Sequence, residues 1–450
     1  MSMELTKIEK RRQLIDKSLN VLLFTYTMLF ILYHSIAGLY VQVWIDRLEC
    51  VAGAVMAVVM LMKLAVIEKD ERIKWFKSSF LVIIYFVIRT ATFIDSGFDY
   101  SVARTVFFEG IYMFVICGMI IDSRFCKEKI MKLYVVVNFA LNVVNVAFYF
   151  IFLKMGTLSG FGKTLADITF VSRNGVMYSS MYDNPNAFGI MTALAIIIAF
   201  NLISKNDTKA RKLVIVVYML FSLYCVNLSE CRSAMLSLFA CAVAWAIVVI
   251  SKKKITGRML VICAFAVALL ATGGIYGFMA NNADTGLYKF TESETAFEKA
   301  STNRYWIWKS GYFAHQDNKL LGVGSPKNEI DDRNEFVYQN LIDIEYGVSS
   351  YKETDLGTHN GYLAMIYCTG MLGFILFMAA LLQKILEAKS MKCGGWYLAV
   401  IFFMSVNMFE TMTIVSRFFV CLMTFIILAM DNNDEEHGYD MCSPNEAKLL

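Results

Sequence analysis

Apolar runs of about 18 to 24 residues recur along most of the sequence, and this recurrence limits the possible folds more than any other feature. Each run is long enough to cross a hydrocarbon core of about 30 Å as an α-helix. Lipid offers free backbone groups no hydrogen-bond partners, and the runs lack the two-residue alternation of a membrane barrel. Hydrophobic residues make up 58% of the chain and charged residues 18%, which excludes a soluble globular domain. The sequence therefore predicts an all-α integral membrane protein.

The polar connections divide the chain into about twelve predicted transmembrane helices. A segment at 1–20 precedes the first helix, and an acidic tail at 431–450 follows the last. The first nine helices occupy residues 21–280 and the last three residues 360–430. The predicted spans lie near residues 21–41, 48–67, 77–94, 102–121, 130–153, 186–204, 211–228, 231–250, 258–280, 360–386, 395–413 and 415–430.

Lysine and arginine residues collect on alternate connections, for example at Lys7, Arg11, Lys74, Lys127 and Lys253. Because cytoplasmic connections are enriched in these residues, we predict that these connections and both termini face the cytoplasm. The first span follows a basic segment without a small-residue cleavage site, so no cleavable signal peptide is expected. Two long connections, at about 154–185 and 281–359, are then extracytoplasmic, the larger one between spans 9 and 10.

The connection at 281–359 is long enough to carry binding or chemistry, which is what such long loops usually do. Near its start, Arg304 begins an Arg-x-Trp-x-Trp pattern that ends at Trp308. Arg304 is a candidate anion ligand and Trp308 a candidate for stacking on a sugar ring; the alternative is an amphipathic helix at the membrane interface. His359 and Asn360 lie where the chain re-enters the membrane, and an imidazole there is suited to proton transfer, although a lone histidine is more often structural.

Polar residues also begin two predicted spans. Asn184 and Asn186 flank Pro185 at a helix start, where free backbone N–H groups can bind a phosphate or a sugar hydroxyl; a plain helix cap is the alternative. Arg232 begins a later span at the outer end. It either extends to the lipid headgroups or belongs to a functional site.

Arg89 and Arg104 lie within the outer halves of two neighbouring predicted spans. Charges inside a membrane are costly unless they pair or line a hydrated cavity, so both arginines are candidates for one anion site. A pair between Arg104 and Glu109 is the plainer alternative. The cysteines show no zinc-type spacing, and no metal site is predicted.

Taken in order, the motifs resemble those of the O-antigen polymerase and O-antigen ligase family of bacterial membrane glycosyltransferases. The resemblance covers about residues 180 to 375. The matching pieces are Asn184-Pro185-Asn186, Ser229 to Ser233 around Arg232, Arg304 with Trp308, Gly322-Val323-Gly324, and His359-Asn360.

The resemblance implies a GT-C-like fold and a metal-independent glycosyl transfer, without cofactor, at the outer face of the bacterial cytoplasmic membrane. The implied donor is an oligosaccharide on a polyprenyl diphosphate, bound through Arg232 and Arg304, and His359 is implied in catalysis. The implied acceptor is a sugar hydroxyl on another carrier-linked repeat unit of O-antigen, capsule or exopolysaccharide or, in a ligase, on lipid A core.

Polymerase is the preferred reading, since polymerases cover more sequence diversity in such families, and ligase is the alternative. Membrane lipid, a flippase and a chain-length regulator are the expected partners, and nucleic acid is not. A transporter or flippase of lipid-linked sugar is a further alternative, which should show internal repeats or broken helices.

Overall fold

The computed structural model describes residues 2–33, 36–121, 127–155, 185–203, 207–252, 254–281, 304–341, 357–388, 391, 395–416 and 419–428. Within these ranges every regular element is a helix. Asn184, the tail at 431–450 and most of the predicted loop at 154–185 lie outside the described residues, as do two parts of the loop at 281–359.

The helices are given in chain order. They are α1 (Ser2–Tyr33), α2 (Ile36–Val66), α3 (Lys69–Asp95), α4 (Tyr100–Ile121), α5 (Lys127–Met155), α6 (Pro185–Asn201), α7 (Lys209–Ser229), α8 (Arg232–Ile250), α9 (Gly257–Asn281), α10 (Arg304–Ala314), α11 (Pro326–Leu341), α12 (Gly361–Glu387), α13 (Tyr397–Val406), a 3-10 turn (Ile414–Ser416) and α14 (Phe419–Leu428).

Eight helices in the described residues are long and apolar enough to cross a membrane. These candidate spans are Glu9–Tyr33, Trp44–Val66, Lys69–Asp95, Lys129–Ala147, Lys209–Ser229, Arg232–Ile250, Gly257–Asn281 and Gly361–Glu387. The prediction of an all-helical, multi-pass membrane protein is therefore confirmed. The number of twelve spans and the orientation stay predictions.

Helix α6 is short but lies at the centre of the helix bundle. Most of its side chains are buried, and it packs against α5, α7, α8, α13 and α14. A helix that is apolar on all sides is suited to such a position, because no face of it has to meet water.

Helix α13 ends at Val406, although the sequence predicts a span through residue 413. The Asn407 side chain accepts a hydrogen bond from the Met412 N–H at 2.9 Å, and the Asn407 carbonyl accepts one from the Gly361 N–H at 2.8 Å. Non-helical backbone is tolerated within a membrane protein where protein groups satisfy its polar atoms. The segment at 407–413 therefore stays irregular, and it carries Glu410.

Helix α12 is interrupted at Gly370, whose φ of 67 lies in the left-handed region. The carbonyls of Tyr367 and Cys368, freed by this break, accept hydrogen bonds from the N–H groups of Val323 and Gly324 at 2.9 and 2.8 Å. We call residues 304–341, which include α10 and α11, the cap segment. The break in α12 is thus the place where the cap segment is fastened to the membrane helices.

Candidate active site

Three side chains from distant parts of the chain meet at the carboxylate of Glu410. Arg304 Nη2 lies 2.8 Å and Asn186 Nδ2 3.1 Å from Glu410 Oε1, whereas His359 Nδ1 lies 2.9 Å from Glu410 Oε2. The Glu410 side chain is 6% exposed, while those of Arg304 and His359 are each 25% exposed. The buried carboxylate of Glu410 therefore binds the Arg304 guanidinium and the His359 imidazole, which both remain partly exposed to solvent.

Arg304 is the first residue of α10 and fastens that end of the cap segment to the irregular segment after α13. Its Nη1 donates to the Phe409 carbonyl, while its Nη2 donates to Glu410. Two donors on one planar guanidinium fix its orientation more firmly than a single ammonium can.

His359 is held by the residues on either side of it. The Asn360 side chain caps α12 by accepting hydrogen bonds from the N–H groups of Tyr362 and Leu363, and it donates to the Met408 carbonyl at 3.2 Å. The indole N–H of Trp308 donates to the Thr358 carbonyl at 2.8 Å. His359 itself has a φ of 50, a backbone conformation that is uncommon outside glycine and clusters at functional sites.

Arg232 is the first residue of α8 and lies beside the N-terminus of α6. The sulfur of Cys231 is 3.8 Å from the carbonyl of Asn186, whose side chain binds Glu410. The Arg232 side chain is exposed and makes no hydrogen bond or ion pair within the described part of the chain. The backbone at the start of α8 thus lies near the Glu410 cluster, and the Arg232 side chain is on the exposed face of α8.

Arg89 and Arg104 are engaged elsewhere. Arg89 is fully buried, pairs with Glu109 at 2.7 Å, and donates to the carbonyls of Cys368 and Gly324. Arg104 pairs with Asp46 of α2. The structure therefore separates these arginines into two different ion pairs, and Arg89 fastens the cap segment to the break in α12.

Trp308 and Asn360 position the backbone around His359 rather than offering a free face to a ligand. Trp308 is buried at 7% exposure and Asn360 at 0%. Among the residues that the structure describes, no three His, Cys, Asp or Glu side chains are grouped closely enough to hold a metal ion.

Glu410 is the residue that sequence reasoning missed. It lies in an apolar run at 395–413 that the sequence presents as a continuous span. One signal could have found it, since an ionisable residue inside an apolar run usually has a functional or pairing role. Its partners, however, lie at residues 186, 304 and 359, and their distance along the chain hid the cluster.

A second ionisable cluster lies inside the cap segment. His315 stacks on the ring of Tyr367 with centroids 5.1 Å apart, and its Nδ1 lies 2.6 Å from the Gly311 carbonyl. Burial and, to a smaller extent, the nearby Arg333 lower the pKa of His315 to about 4, whereas the hydrogen bond to the Gly311 carbonyl raises it. Burial also raises the pKa of Glu329, which pairs with Arg333 at 3.2 Å. His315 is therefore neutral near pH 7.

Residues 214–378 match the family model described as O-antigen ligase (Wzy_C). The matched range contains Arg232, Arg304 and His359, whereas Asn186 and Glu410 lie outside it. A comparison with curated proteins gave no match. The matched range includes most of the motifs on which the sequence resemblance rests. Over residues 214–378 the chain is thus similar to the O-antigen ligase family, in agreement with the resemblance that its motifs show.

Proposed function

We propose that this protein is a polysaccharide polymerase that joins polyprenyl-diphosphate-linked oligosaccharide repeat units at the outer face of the bacterial cytoplasmic membrane. The family is one of glycosyltransferase-like enzymes, which agrees with this proposal. The observation that carries it is the meeting of Arg304, His359 and Asn186 at Glu410, beside the helix end that bears Arg232.

The proposed reaction is a displacement at the anomeric carbon of the donor. The oxygen of an acceptor hydroxyl attacks that carbon, the bond from the carbon to the diphosphate oxygen breaks, and the configuration inverts. The proton of the hydroxyl passes to Nε2 of His359, and polyprenyl diphosphate departs with the bonding electrons. Each atom and electron is thereby accounted for without a further reactant.

The two arginines have a clear electrostatic role in this reaction. Negative charge grows on the diphosphate as it departs, and guanidinium groups of Arg232 and Arg304 stabilise that charge more in the transition state than in the ground state. Arginine keeps its proton under all relevant conditions, so both groups act as fixed positive charges.

The break in α12 favours transport of a lipid-linked sugar, because broken helices form the substrate sites of many transporters. Here, however, the carbonyls of Tyr367 and Cys368 are bound by backbone N–H groups of the cap segment, and Cys368 also by Arg89. These groups are engaged within the protein, so we prefer transfer to transport.

Ligation to another acceptor is the second candidate, because the matching family model is described as O-antigen ligase. Polymerase and ligase use the same donor and differ in the acceptor alone. The roles that we propose for Arg232, Arg304 and His359 are the same in either case.

Purified protein in liposomes containing polyprenyl-diphosphate oligosaccharide distinguishes these candidates. We expect release of polyprenyl diphosphate together with a new glycosidic bond between repeat units. Movement of unaltered substrate across the bilayer would support transport, and a new bond formed only after addition of a second carrier would support ligation.

A further inference from the structure

We propose that Glu410 is a positioning residue that fixes the tautomer of His359, so that Nδ1 carries the proton and Nε2 is free to accept one. This inference rests on the proposed function for its catalytic meaning. The tautomer itself is a property of the protein that can be measured without any substrate.

The geometry determines the direction of the hydrogen bond. His359 Nδ1 lies 2.9 Å from Glu410 Oε2, and Glu410 also pairs with Arg304 at 2.8 Å. A carboxylate paired with a guanidinium only accepts hydrogen bonds, so Nδ1 must donate. A neutral imidazole has one proton, and Nε2 is left with a lone pair directed away from Glu410.

The two oxygens of Glu410 have different partners. Oε1 accepts from Arg304 Nη2 and Asn186 Nδ2, whereas Oε2 accepts from His359 Nδ1. Arg304 and the side-chain amide of Asn186 both donate to Oε1, so this oxygen is already occupied and His359 is bound by Oε2. The cluster therefore needs both oxygens of Glu410 as acceptors.

Because the two oxygens have different partners, Glu410→Gln tests the role of Oε2 specifically. Glutamine has the same shape as glutamate but only one side-chain oxygen. The two donors of Arg304 and Asn186 would retain that oxygen, and the glutamine NH₂ would face His359 Nδ1. Nδ1 would then have to accept, which moves the imidazole proton to Nε2 and removes the lone pair that takes the acceptor proton.

Glu410 would also act during the reaction. When Nε2 takes the proton of the acceptor hydroxyl, His359 becomes an imidazolium whose Nδ1–H already faces a carboxylate. A buried carboxylate stabilises such a cation and keeps its ring oriented, as the aspartate of a serine-protease triad does. Glu410 itself touches no reacting atom.

The experiment is nitrogen-15 NMR of the protein labelled at histidine, in detergent or nanodiscs and without substrate. The chain has four histidines, and a His359→Gln variant identifies the signals of His359. His315 serves as an internal reference, because its Nδ1 lies 2.6 Å from the Gly311 carbonyl, which can only accept. We expect the Nδ1–H tautomer at His359 in the wild-type protein and the Nε2–H tautomer in Glu410→Gln.

Asn186→Ala is the matched control, since it removes one donor to Oε1 and leaves the bond from His359 to Oε2 in place. We expect it to keep the wild-type tautomer. An Nε2–H tautomer at His359 in the wild-type protein would overturn the proposal, and this result requires no folded Glu410 variant. An unchanged Nδ1–H tautomer in Glu410→Gln would overturn it as well.

Activity provides a separate test. In the liposome assay we expect Glu410→Gln to lower kcat at least about 100-fold, because general acid–base catalysis typically contributes about 10²- to 10⁴-fold. If the wild-type protein transfers no glycan at all, the proposed function fails while the NMR result still decides the role of Glu410. A tautomer change with wild-type kcat would overturn the claim that Glu410 acts in the reaction.

Discussion

Arg304 uses two terminal nitrogens for two different acceptors, the Phe409 carbonyl and the Glu410 carboxylate. Arg304→Lys keeps the positive charge but offers one nitrogen on a flexible stem, so it cannot hold both acceptors in one plane. We expect the glycan-transfer rate to fall about 10- to 100-fold at equal protein level. The measurement is the initial rate of polyprenyl diphosphate release in liposomes.

Lys327 provides the control for Arg304→Lys. It lies in the cap segment with a side chain 75% exposed and pairs only weakly with Asp331 at 3.3 Å. Lys327→Arg should transfer glycan at the wild-type rate. An Arg304→Lys protein that also works at the wild-type rate would show that the planar guanidinium is not required.

The sequence indicated some members of the Glu410 cluster better than others. Arg304 and His359 follow from their places at the two ends of a long polar connection, and both lie at Glu410. Arg89 is an arginine inside a span as well, but its partners are the Glu109 carboxylate and backbone carbonyls of distant segments. Only the fold distinguishes a buried structural arginine from one that remains open to a ligand.

The start of α8, which carries Arg232, packs against α6, and this contact depends on the absence of a side chain at Gly189. A Cβ at this position would lie 2.4 Å from Cys231 Cβ and 2.5 Å from Ser229 Oγ. Gly189→Ala should therefore separate the start of α8 from α6 and displace Arg232. We expect a destabilisation of about 1–3 kcal/mol and reduced transfer, measured by thermal unfolding and by the liposome assay.

Gly277→Ala is the matched control in α9, because no atom lies within 4 Å of a Cβ built there. Alanine in a helix is more favourable than glycine by about 0.5–1 kcal/mol, so this variant should be as stable as the wild type or more stable. A Gly189→Ala protein with unchanged stability and rate would contradict the proposed packing between α6 and α8.

The helices themselves were largely predictable from the sequence, but their interruptions were not. Long apolar runs such as Gly257–Asn281 need only hydropathy to be recognised as spans. The end of α13 at Val406 and the break at Gly370 depend on backbone hydrogen bonds from distant segments, for example Gly361 N–H to the Asn407 carbonyl. Hydropathy does not register such bonds, and these interruptions carry Glu410 and the attachment of the cap segment.

The attachment of the cap segment should weaken in acid because of His315. Its pKa in the folded protein is about 4, below the ordinary value of 6.5. The folded state therefore disfavours the protonated form, and the stability of the neutral form is lost as the pH falls from 6.5 towards 4. The total effect is about 3 kcal/mol, of which about 2 kcal/mol develops between pH 7.5 and pH 5. Hydrogen exchange of residues 304–341 at these two pH values measures that part, after correction for intrinsic rates.

His315→Gln should remove most of this acid effect. The other ionisable groups around His315 are Arg333, Glu329 and Tyr367, and they remain in the variant. The raised pKa of Glu329 favours its protonation in the folded state and therefore opposes acid loosening in both proteins. Equal acid sensitivity of the wild type and His315→Gln would contradict the role of His315.

In the whole molecule, we propose that Arg232, Arg304 and His359 form one site for glycosyl transfer. The most direct measurement is the polymer made by cells whose own copy is replaced by Arg232→Ala, Arg304→Lys or His359→Ala at wild-type protein levels. We expect single repeat units or much shortened chains from each variant, and full-length polymer from Lys327→Arg. Full-length polymer from all three site variants would contradict the account.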